Sequence, residues 1–193
     1  MRPRTFATSK RHSWLLLLVA IAVATTSARA QGSADPLANA ARGFYDVYMT
    51  LHPSDGIPDA ATRAKFAPYI TPALERLFAE GHDAEQRYAM ATKNQAPPLI
   101  EGDPFTPNFE GATSYRLGVC ATDTQGGHCA VTLTYDDRKD KPISWTDTVY
   151  LVQTDQGWRV DDIAYGGTWE FGNKGRLTRT LKSAIDEGNS FAR

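Results

Sequence analysis

The chain has 193 residues, 41% of them hydrophobic, with 21 Lys and Arg against 22 Asp and Glu. Five of the basic residues (Arg2, Arg4, Lys10, Arg11 and Arg29) and none of the acidic ones lie in the first thirty positions, so the rest carries 16 basic and 22 acidic groups, about −6. A chain that acidic, with no basic cluster along it, is a poor candidate for binding nucleic acid or anionic lipid.

The first thirty residues read as an export signal. A positive start is followed by an apolar run from Trp14 to Ala24 and by small residues at Ala28 and Ala30, which predicts cleavage between Ala30 and Gln31. The apolar run is shorter than the ~20 residues a membrane-spanning helix needs. No cysteine stands near the cleavage point to carry a lipid anchor, and no membrane span is expected in the mature chain. The charged start and Ala-rich core suit a bacterium, so the expected location is periplasmic or secreted. Residues 31–193 make one domain, long enough to bury roughly 70% of its unfolded surface.

Three helices are expected first. Asp35 caps one whose first turn holds Pro36 and whose stripe is Leu37, Ala40, Ala41, Phe44, Val47, Tyr48 and Leu51, ending at His52-Pro53. A short one follows near Ala60 to Phe66. A third starts with Thr71 as cap and Pro72, and runs through Leu74, Leu77, Phe78, Gly81, Ala84 and Tyr88. From Lys93 to Gly111, repeated Pro and Gly forbid regular structure, and Phe105 and Phe109 are expected to pin this long loop to the body.

Four strands are expected next: Thr113–Cys120, Cys129–Tyr135, Trp145–Val152 and Trp158–Tyr165, the last two joined by a turn at Asp155-Gln156-Gly157. Cys120 and Cys129, the two cysteines of a secreted chain, are expected to form a disulfide across a hairpin; with His128 alone beside them, a metal site is the weaker reading. A last helix over Gly175–Glu187 buries Leu177, Leu181, Ala184 and Ile185. Helices followed by consecutive antiparallel strands give an α+β fold, with N-terminal helices on a curved sheet of about four strands and a C-terminal helix.

That order, closing on Gly157-Trp158-Arg159-Val160-Asp161-Asp162-Ile163, resembles the cone-like nuclear-transport-factor-two-like (cystatin-like) fold, also seen in ketosteroid isomerase. More narrowly, Gly102-Asp103-Pro104-Phe105-Thr106 and the block from Trp158 to Gly167 resemble a family of secreted bacterial proteins known only as domain of unknown function 3828. The resemblance spans about residues 35–185 and implies no reaction and no catalytic residue.

Asp161 and Asp162 are adjacent on a strand, so strict alternation sets them on opposite faces and they make no facing acid–base pair. The same alternation groups Trp158, Val160, Asp162 and Ala164 on one face and Arg159, Asp161, Ile163 and Tyr165 on the other. As structural residues the two acids would fix the strand end, through hydrogen bonds or a pair with Arg159 or Arg116. Asp147 shares parity with Trp145, Val149 and Leu151; a carboxylate desolvated there has a raised pKa and suits a general base. Trp145, Tyr150, Trp158, Tyr165 and Trp169 line either an apolar ligand pocket or the core. No GxSxG, HExxH or nucleotide-binding motif is present, and no cofactor or metal is expected. The leading expectation is a non-catalytic binding or interaction module whose partner is an envelope protein or a small apolar ligand, with a homodimer possible. The alternatives are a small lyase or isomerase using Asp147 or Asp162 as general base, and an inhibitor- or immunity-type protein acting through the Lys93–Gly111 loop.

Overall fold

Side-chain caps fix where the helices begin. In the computed structural model, which describes residues 35–53, 56–170 and 172–191, the Asp35 carboxylate accepts from the Leu37 amide and starts α1, Pro36–Leu51. Asp59 caps α2, Ala60–Phe66, and the Thr71 hydroxyl caps α3, Pro72–Ala91, which runs unbroken through Gly81. The expected signal peptide over residues 1–30, with its cleavage point between Ala30 and Gln31, lies outside the described residues. Among the described residues no helix is long and apolar enough to cross a membrane.

The four strands are β1 (Ser114–Asp123), β2 (Gly126–Tyr135), β3 (Ile143–Thr154) and β4 (Gly157–Ala164). They pair antiparallel in the order β1-β2-β3-β4, and α4, Leu177–Ser190, follows. This is an α+β fold. One sheet face is apolar, carrying Cys129, Val131 and Leu133 from β2, Trp145, Val149 and Leu151 from β3, and Val160 and Ile163 from β4, all buried. Phe44, Tyr45 and Tyr48 of α1 are fully buried with them.

Cys120 and Cys129 form the disulfide and stand directly opposite in the β1–β2 register. Both strands run further than the sequence pattern implies, so the polar stretch between the cysteines is itself paired: Ala121 faces His128 and Asp123 faces Gly126. Only Thr124 and Gln125 are left to turn the chain.

Alternation breaks in β4. Tyr150 pairs with Asp162 but Leu151 pairs with Val160, leaving Asp161 as the extra residue of a bulge. Val160 and Ile163 therefore both face inward, which corrects the two-face grouping expected for this strand. The bulge is held from the side: Val160 exchanges backbone bonds with Tyr69 and Thr71, and the Thr71 hydroxyl donates to Asp161 at 2.7 Å.

Candidate functional site

The sheet separates the residues marked in the sequence into an inner and an outer group. The inner group surrounds Asp147, whose side chain is fully buried. Its Oδ2 accepts from the Trp145 indole at 3.1 Å and its Oδ1 from the Gly166 amide at 2.7 Å. Gly166 must be glycine here, because a β-carbon would run into the Thr146 carbonyl. Burial raises the Asp147 pKa to about 6, against the pull of those two donors.

A second acid that the sequence reading did not single out lies close enough for its charge to be felt. Asp103, on the Pro-rich loop and 1% exposed, accepts from the Phe105 amide at 2.7 Å and from the Tyr48 hydroxyl. Tyr48 in turn accepts from the Ala112 amide at 2.8 Å. Burial lifts the Asp103 pKa to about 7, and the charge of Asp147 adds to the rise. Tyr45 is also fully buried beside both acids, and its hydroxyl has no hydrogen-bond partner among the described residues. Gly111, at φ 78°, brings the loop back so closely that a β-carbon would meet Asp103 and Tyr48. The signal for Asp103 in the sequence was its place between Gly102 and Pro104, and for Tyr45 its spacing four after Ala41.

The aromatics around these acids seal them. Trp145 packs edge-on against Trp169, centroids 5.1 Å apart, and the Tyr165 hydroxyl donates to the Pro104 carbonyl at 2.6 Å. The Asn173 amide donates to the carbonyls of Asp103 and Thr106. Phe105 inserts among Phe44, Phe66, Phe78 and Tyr48, with ring centroids 4.9 to 6.0 Å away. Phe109 does not pin the loop as expected: it is 57% exposed, because the turn at Gly111 swings residues 109 and 110 outward.

The outer group is a row across the sheet in which His128 pairs with Tyr150 and Tyr150 with Asp162. Arg176 stacks on Tyr150, with its guanidinium carbon 4.0 Å from the ring centroid, and its Nη1 lies 3.3 Å from Asp162. Asp162 also accepts from the Thr178 amide and hydroxyl, each at 3.0 Å, and from the Ile163 amide at 2.9 Å. The acid thus fixes the strand end and caps α4, with Arg176 rather than Arg159 or Arg116 as its ionic partner. The row borders a cleft of about 210 Å³, where Asp123 approaches His128 at 3.7 Å. Trp158 belongs to neither group and lies half-buried beside Gly127. The five aromatics are therefore divided among three places, and Asp147 and Asp162 face opposite sides of the sheet. No His, Cys, Asp or Glu cluster fit for a metal occurs among the described residues.

No family model matches the chain. Over 145 residues it is 25% identical to an uncharacterised lipoprotein of Escherichia coli K12, YbjP. The alignment covers 75% of each chain.

Proposed function

We propose that this chain is an envelope or secreted protein, exported to the bacterial periplasm or beyond, that binds a partner through its surface and performs no chemistry of its own. The observation that carries this reading is the closed interior: Asp147 and Asp103 are buried, each of their oxygens accepts a hydrogen bond, and Phe105, two residues after Asp103, is buried in the ring cluster of the helices. A disulfide between neighbouring strands supports an oxidising compartment, as does similarity to a lipoprotein. The nuclear-transport-factor-two-like resemblance belongs to the same proposal, with the concave side closed by α1 and the loop.

One observation favours a lyase or isomerase instead. Two carboxyls with pKa values near 6 and 7 stand beside an unpartnered tyrosine hydroxyl, a set suited to moving protons if the loop opened. Asp162 falls out of that reading, since four donors already hold its carboxylate. The inhibitor reading keeps only part of its Lys93–Gly111 loop on display: residues 102–108 are buried, while Lys93, Asn94, Gln95, Pro97, Pro98, Glu101, Phe109 and Glu110 are exposed.

Restoring a gene-deletion strain separates the two. The Asp147→Asn chain should rescue the envelope defect as well as the unaltered chain. A chain that folds, by its near-ultraviolet circular dichroism, yet fails to rescue would overturn the binding reading in favour of acid–base chemistry.

A further inference from the structure

The chain is acidic, yet from Asn173 to Ser183 it carries Lys174, Arg176, Arg179 and Lys182 and no acid. The linear sequence shows no run of adjacent cations there, and for that reason it reads as having no basic cluster. Folding gathers three of them. Arg176, Arg179 and Lys182 line one cleft of about 610 Å³ between the end of β4, at Ala164, and the first turns of α4. Their spacing of three residues places them along one side of the helix. Neither Arg179 nor Lys182 has a carboxylate partner or a side-chain hydrogen bond among the described residues. Arg176 turns its guanidinium to Tyr150 and Asp162, which line the neighbouring cleft, so its charge is already matched there.

We propose that this cleft binds a phosphate group, with Arg179 and Lys182 as its cations. Two cations without a carboxylate partner among the described residues, Arg179 and Lys182, suit a doubly charged phosphate, for which the planar guanidinium fork is the better ligand. Asp186, one helical turn beyond Lys182, also lines the cleft and bounds the anionic subsite on that side. The volume is larger than a bare phosphate needs, so the group is expected on an organic remainder, with Ala164 and the methylene stems of the basic side chains as the apolar wall. Such a phosphate has two sources, a phospholipid headgroup or a soluble phosphomonoester. The site is independent of whether the inner acids catalyse anything.

The test uses the chain as its host exports it, with two probes: glycerol phosphate followed by amide shifts of α4, and phosphatidylglycerol–phosphatidylcholine vesicles followed by co-sedimentation against phosphatidylcholine alone. Arg179→Glu with Lys182→Glu reverses two exposed charges. Lys139→Glu with Lys141→Glu, in the β2–β3 turn, makes the same net change elsewhere. Saturable binding of either probe, weakened roughly tenfold or more by the α4 pair and far less by the turn pair, supports the site; which probe binds names the source. Binding of neither probe overturns the proposal. So does equal weakening by both pairs, which would mean net charge alone. Binding of polyglutamate but neither phosphate probe would assign the cleft to an acidic protein segment and also overturn it.

Discussion

At the scale of single residues, the inner acids make stability depend on pH in an unusual direction. Both carboxyls keep a proton in the fold at pH values where the unfolded chain, with an ordinary Asp pKa near 3.8, has released it. The folded state binds more protons across that window, so this contribution is fully present at low pH. It is lost as pH rises towards 6 for Asp147 and towards 7 for Asp103. Urea unfolding should show stability falling between about pH 4 and 7, by up to ~1.4 kcal/mol per pH unit for each group. Asp103→Asn should flatten the upper part of that fall; an unchanged slope would mean that Asp103 is ionised in the fold. Asp147 was legible in the sequence, because a polar residue at an inward position of an apolar strand is conspicuous. Asp103 was not, because its burial is imposed by a loop whose path depends on Phe105 finding the ring cluster.

At the scale of elements, local chemistry placed the helices and missed the irregularities of the sheet. Asp35, Asp59 and Thr71 act on amides two or three residues away, so their effect is written in adjacent positions. The β4 bulge answers instead to Tyr69 and Thr71, about ninety positions earlier, and alternation within β4 carries no trace of them. The β1–β2 ladder shows the same limit: the cysteines and the hairpin were readable, but the pairing of the polar residues between them follows from the register that the bridge holds. Replacing both cysteines by Ala should lower stability by roughly 2 kcal/mol, a modest figure because the closed loop is short. Denaturant midpoints of the two forms measure it, and equal midpoints would show that the ladder holds without the bridge.

At the scale of the whole molecule, helices, loop and sheet share one core, and Phe105 is where the loop meets α1, α2 and α3. Far- and near-ultraviolet circular dichroism should therefore follow one coincident unfolding transition. Phe105→Ala should shift that transition as a unit, by about 3–5 kcal/mol, while leaving its cooperativity intact. If the loop melted in a separate early phase, it would carry Asp103 out of the core, and the closed-interior reading would fail with it.

The sequence by itself determined the order of elements, the α+β class and the disulfide, because caps, alternation and cysteine count act over a few residues. Only the tertiary structure decided the rest. It brought the loop acid Asp103 near Asp147 and put Tyr150 and Asp162 on the opposite face with Arg176. Each of those depends on contacts between residues far apart in the chain, and their energies are set by burial that no local pattern records.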